Sequence, residues 1–164
     1  MKGFTLIELL IVTATTAILA GVFVYNFGQM RVTHQVTAAT NDTISKIREV
    51  QNFVLTGNRV AGQAPSAYEI SFTAPATTYT VRSATGGATS TLETVTLPTN
   101  MQIRNMWVGG ILDNQVNIQT YAPYGKIYVD NVANQTVTIE LHHIGGNIQR
   151  IIEIDAISGR VGRQ

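Results

Sequence analysis

Cysteine is missing from all 164 residues of this chain, which rules out disulfides, thiolate metal sites and a cysteine nucleophile. Charge is scarce as well. Only 13% of residues are charged, and the formal net charge of +1 lacks the wide positive balance of a dedicated nucleic-acid module. Catalytic signatures are absent: no glycine-rich phosphate loop follows a strand and opens a helix, and no serine sits in a nucleophile elbow. The chain therefore reads as non-enzymatic, with no cofactor expected. Its length allows one modest domain plus an appendage.

In place of these features the chain has a long apolar beginning, Met1 to Phe27. From Phe4 onward it is apolar apart from threonines, an asparagine and one acid, Glu8. A helix of about 20 such residues crosses a hydrocarbon layer about 30 Å thick. Lys2-Gly3 precede Phe4, and Glu8 stands only a turn inside the apolar run. A charged side chain at the centre of a bilayer costs about 2.5 to 3.5 kcal/mol on insertion scales, so an acid within a span calls for a partner or a role.

The string Gly3-Phe4-Thr5-Leu6-Ile7-Glu8-Leu9-Leu10 resembles the N-terminal signature of type IV pilins and type II secretion pseudopilins. The resemblance implies that a prepilin peptidase removes residues 1–3 by cutting after Gly3, and that the new N-terminal Phe4 is methylated. Lys2 would leave with the leader, so the remaining side chains would balance at zero. It also implies that Glu8 pairs with the Phe4 amine of a neighbouring subunit as helices stack into a filament. Such a pair contributes little net stability after desolvation and chiefly sets register. The expected location is the inner membrane as a single-pass protein before assembly, and an extracytoplasmic filament afterwards. Many larger pilins staple a C-terminal loop with a disulfide, which this chain cannot do.

Two plainer readings of the same stretch stand beside this one. Ala20-Gly21 offers small residues for an ordinary secretory signal, although Glu8 would interrupt its apolar core. The stretch also fits an uncleaved anchor with an incidental glutamate.

Beyond Phe27 the sequence turns polar but keeps a helical rhythm. Val36, Ala39, Ile44, Ile47, Val50 and Val54 recur at helical spacing between charged residues, as in an amphipathic helix laying one stripe on a core. Residues 4–27 thus form a membrane and assembly segment and residues 28–56 an amphipathic spine, in one helix about 75 Å long. Gly21 and Gly28 are expected points of bending or fraying. In many pilins a proline occupies the position of Tyr25, so the degree of kinking is open. Thr56-Gly57-Asn58 supplies the stop.

Residues 65–164 read as β-rich. Alternation predicts strands at 68–72, 79–82, 92–97, 101–104, 116–121, 126–129, 136–141 and 148–155, with turns at Gly86-Gly87 and Gly145-Gly146-Asn147. A helix followed by many strands predicts an α+β, pilin-like fold: a long N-terminal helix packed on an antiparallel β-sheet. Tyr121-Ala122-Pro123-Tyr124-Gly125-Lys126 and Ile157-Ser158-Gly159-Arg160-Val161 resemble elements of the H/T-type minor pseudopilins, the second being their terminal strand.

Adjacent His142 and His143 cannot chelate one ion from a regular strand, since they point to opposite faces. They are expected at a surface or edge. Asp113-Asn114, Asp130-Asn131, Glu153 and Asp155 offer oxygens of the kind calcium takes about six to eight of. Their spacing forms no calcium loop, so turn caps and solvated faces are expected. The C-terminal arginines, Arg160 and Arg163, with Arg150 upstream, suit phosphate contact. Some minor pilins of the resembling subgroup bind DNA through a basic C-terminal segment, which makes a DNA-receptor subunit the alternative function. The opposing expectation is a solubilising strand end or a salt bridge to Glu153 or Asp155.

Overall fold

The structure, a computed structural model, describes residues 5–163. Helix α1 runs unbroken through Leu6–Leu55, 50 residues, so neither Gly21 nor Gly28 interrupts it. Its far end closes as the sequence predicts. Gly57 adopts φ +63°, a conformation that suits glycine. Its N–H donates to the Val54 carbonyl at 3.3 Å, while the Asn58 N–H donates to Phe53 at 3.0 Å. This paired arrangement satisfies carbonyls that the helix end leaves open.

Eleven strands follow: β1 (Ala67–Thr73), β2 (Thr78–Thr85), β3 (Ala88–Thr96), β4 (Met101–Val108), β5 (Ile111–Asp113), β6 (Gln115–Tyr121), β7 (Lys126–Val129), β8 (Val132–Ala133), β9 (Thr136–His143), β10 (Gln149–Asp155) and β11 (Arg160–Arg163). Every expected strand is present. The single expected sheet, however, is replaced by two. One has six strands in the order β3-β2-β1-β6-β7-β8, and the other has five in the order β11-β10-β9-β4-β5. The division arises because the chain leaves the first sheet after β3 and returns at β6, which pairs with β1 along seven residues from Ala67↔Tyr121 to Thr73↔Gln115. All pairings are antiparallel.

The outer half of α1 touches strands of both sheets. All six stripe residues, Val36, Ala39, Ile44, Ile47, Val50 and Val54, are buried. They share one core with Ile70 and Phe72 of the first sheet and Ile103, Ile139, Leu141, Ile152 and Ile154 of the second. Thr40 and Thr43 are buried in the same stripe, which apolar periodicity does not reveal. Their hydroxyls donate to the carbonyls of Val36 at 2.7 Å and Ala39 at 2.9 Å, so burial strands no donor.

Polar latches fix the spine to each sheet. Lys46 Nζ lies 3.2 Å from Glu93 of β3 and 2.8 Å from Glu49. Arg48 Nη2 donates to the Val161 carbonyl of β11 at 2.7 Å. Strand β3 departs from expectation: alternation predicts a half-buried strand, but β3 is exposed along most of its length, with Leu92 open to solvent. It lies at a sheet edge with a register shift opposite Val81/Arg82, has β2 as its ladder partner, and reaches the core through Val95.

Candidate functional site

The inner half of α1 is the most conspicuous surface of the molecule. It is long and apolar enough to cross a membrane, and its most apolar stretch is wholly unburied. Exposure is 82% at Leu6 and still 58% at Met30. Such a surface needs lipid or other helices around it.

Its threonine hydroxyls are bonded within the helix. Thr13 Oγ1 donates to the Leu10 carbonyl at 3.0 Å, Thr15 to Ile11 at 2.9 Å and Thr16 to Val12 at 2.7 Å. Each threonine thereby brings a hydroxyl into an apolar segment without leaving it unbonded.

Glu8 sits at the start of this surface. Thr5 is the helix N-cap, and the pair forms a capping box. The Thr5 N–H donates to Glu8 Oε2 at 2.9 Å, the Thr5 hydroxyl donates to the same oxygen at 2.8 Å, and the Glu8 N–H donates to Thr5 Oγ1 at 3.3 Å. Threonine followed three residues later by glutamate is the sequence signal for this motif, and it lies inside the prepilin-like string. Glu8 therefore has a local function in starting the helix, independent of any neighbour. Lys2, Gly3 and Phe4, to which leader removal, cleavage and methylation were assigned, lie outside the described residues.

The histidines differ from expectation. Strand β9 lies between β10 and β4, so its end is central in its sheet. His143 is only 6% exposed, and its Nδ1 accepts the Gly145 N–H at 3.1 Å. His142 is half-buried, with Nδ1 lacking a hydrogen-bond partner.

The acids act mainly as turn caps. Asp113 Oδ1 accepts the Gln115 N–H at 3.1 Å, and Asp130 Oδ1 accepts both the backbone and side-chain N–H of Asn117 at 3.0 Å. The Asn114 carbonyl accepts the Ala74 N–H, and Asn131 follows Asp130 in a left-handed turn with φ +67°. Asp155 accepts from the Ser158 hydroxyl at 2.7 Å and the Ile157 N–H at 2.9 Å. These contacts hold its carboxyl below the usual carboxylate range, the Ser158 bond foremost. Among the described residues no three histidine, aspartate or glutamate side chains gather as a metal site.

The three arginines do not form one patch. Arg160 pairs across the ladder with Asp155, Arg163 with Ile152 and Arg150 with Leu141. Strand alternation puts Arg160 on the face of Glu153 and Asp155 and Arg150 on the opposite one, whereas Arg163, the last residue of β11, faces Ile152 by register but borders the same hollow as Arg160. Glu153, Asp155, Arg160 and Arg163 border one hollow, where opposite charges offset one another.

Sequence reasoning did not single out Glu140, a carboxylate only 5% exposed. Asn105 Nδ2 donates to it at 2.7 Å, and Arg104 lies 3.8 Å away. Alternation would place Glu140 between the inward Ile139 and Leu141, on the outer face. Its burial comes from neighbours on β4, which local pattern cannot show. A larger hollow of about 420 Å3 lies between the β6–β7 and β10–β11 turns. Its lining includes Tyr124, Lys126, Tyr128, Asn134 and Ser158 but no acid or histidine, so no acid–base pair converges there.

No family model, curated protein or solved structure matches this chain.

Proposed function

We propose that this chain is a minor pilin or pseudopilin, a structural subunit that waits in the inner membrane and joins a filament through its N-terminal helix. The observation that supports this most is α1 itself: one uninterrupted rod, bare and apolar for its first half, locked into a β-rich domain along its second. An anchor needs only the first half. Continuity into the core adds a rigid link, so that stacking the apolar halves of neighbouring rods arranges the outer domains around them.

In this reading a prepilin peptidase cuts after Gly3, and Phe4 becomes a methylated, cationic N-terminus. Thr5 and Glu8 remain in the mature chain, so their capping box survives the cut. Both bonds from Thr5 fall on Glu8 Oε2; Oε1 is then the oxygen that takes the amine of a second subunit. Charges that are costly singly in an apolar bundle become tolerable as a pair and specify which helices meet. The partners are the peptidase, other pilin or pseudopilin subunits and the membrane.

Mass spectrometry of the chain coexpressed with an active prepilin peptidase tests this directly. The expected N-terminal peptide begins at methylated Phe4. A chain that keeps Met1 to Gly3 beside a peptidase cleaving its own substrates rejects the reading.

A further inference from the structure

The end of the β domain nearest the apolar half of α1 has its own chemistry. Arg31 is the first charged side chain after Glu8, and the two are about 35 Å apart along the helix at about 1.5 Å per residue. That distance matches a hydrocarbon core of about 30 Å with one charge in each headgroup layer. Val32, one residue beyond Arg31, meets the tip of the β9–β10 hairpin, where a Cβ added to Gly146 would lie 3.0 Å from Val32 Cγ1. The hairpin is thus level with the first residues outside the apolar stretch. Each headgroup layer is about 5 to 8 Å deep, so this hairpin falls within it.

The hairpin carries Ile144, 56% exposed, on a backbone pinned by the Ile144 N–H bond to the Asn100 carbonyl at 2.7 Å. The segments brought together at this end, residues 31–34, 100–101 and 143–150, carry Arg31 and Arg150 and no acidic residue, and the nearest acid further along α1 is Asp42. An exposed aliphatic side chain on a fixed turn, within a region of one charge sign, fits a layer of lipid headgroups over shallow acyl chains.

We propose that the β domain docks on the bilayer surface, with Ile144 dipping below the headgroups and Arg31 and Arg150 on lipid phosphates. This rests on the reading of α1 as a membrane span. It gives Arg150 a lipid contact in place of a nucleic-acid one, and it gives the subunit a fixed attitude before assembly, with the sheets held against the membrane and the β6–β7 turn pointing away.

The absence of cysteine allows a clean test. The full chain is reconstituted in vesicles of phosphatidylethanolamine and phosphatidylglycerol with one nitroxide at Ile144→Cys, at Phe23→Cys in the span, or at Ile157→Cys on the far turn. Collision with oxygen is compared with collision with a water-soluble nickel chelate. The Ile144 label should be shielded from nickel several-fold relative to Ile157, yet remain open to oxygen. Replacing phosphatidylglycerol by phosphatidylcholine, or combining Arg31→Ala with Arg150→Ala, should reduce that shielding. A Phe23 label protected from nickel beside an Ile144 label as open as Ile157 overturns docking and leaves the span intact. A Phe23 label open to nickel overturns the span itself. Shielding of Ile144 from both reagents means that a second copy covers the hairpin and also overturns the proposal, while shielding indifferent to lipid charge and arginines overturns the phosphate contacts.

Discussion

Replacing Glu8 by glutamine separates two functions that alanine removes together. Glutamine at this position can still accept the Thr5 N–H and hydroxyl, so Glu8→Gln keeps the capping box and discards only the charge. Glu8→Ala discards both. Loss of the cap costs about 0.3 to 1.5 kcal/mol, no more than about tenfold in any equilibrium. Leaving a buried ammonium without its carboxylate costs about 3 to 5 kcal/mol. At about 1.4 kcal/mol per tenfold, that is a hundredfold to a few thousandfold loss. If Glu8 receives a neighbour's amine, Glu8→Gln and Glu8→Ala should therefore fail almost equally to enter filaments. The assay is immunoblotting of sheared filaments against the membrane fraction, in cells with a prepilin peptidase and its filament machinery. Comparable membrane levels of all three chains control for stability. Wild-type incorporation of Glu8→Gln alongside loss of Glu8→Ala would refute the intersubunit pair and leave Glu8 as a helix cap alone.

Ile47→Ala opens a void where α1 meets the sheets, because Ile47 is 1% exposed; the expected loss is about 2 to 5 kcal/mol, read by denaturant unfolding of the full chain in detergent. Gly57→Ala should cost about 1 to 2 kcal/mol in the same measurement. The space around Gly57 is open, so strain at φ +63° is the only source, and an unchanged midpoint would refute the assigned helix stop. Asp155 has a pKa lowered in the folded chain. Its stabilising effect is therefore complete above the unfolded value of 3.8 and lost as pH falls through the lower folded value. The protection of the Ile157 amide, the intrinsic exchange rate over the observed one at the same pH, should fall across that acid window in the native chain but be low on both sides of it in Asp155→Ala. Identical profiles would show that the carboxylate does not hold the β10–β11 turn.

The local parts of the fold were legible in the sequence. A six-residue apolar stripe on α1 and alternation in segments such as 126–129 report which face of an element is buried, and both emerged as read. Partner choice is a long-range property. Nothing within residues 67–73 indicates that β1 will lie against β6, so one sheet was expected where two form. The two-residue strand Val132–Ala133 is too short to show a period. Thr40 and Thr43 escape an apolar pattern because a hydroxyl counts as polar unless its bond to the preceding turn is known. Local pattern puts His143 outside because its shielding depends on a hairpin that folds back beside Val32. At the candidate site, the apolar run and Glu8 are plain, whereas the separation of Arg160 from Arg150 depends on ladder register.

The unbroken rod also has an indexing consequence. With the helix continuous through Gly21 and Gly28, the azimuth of the outer domain is geared to the residue count of the apolar half. Deleting one residue there would swing the sheets by about 100° and draw them in by about 1.5 Å, whereas deleting seven would restore their bearing to within about 20°. The greasy segment thus serves as a ruler and a compass at once, and its length constrains the molecule as tightly as its oiliness does.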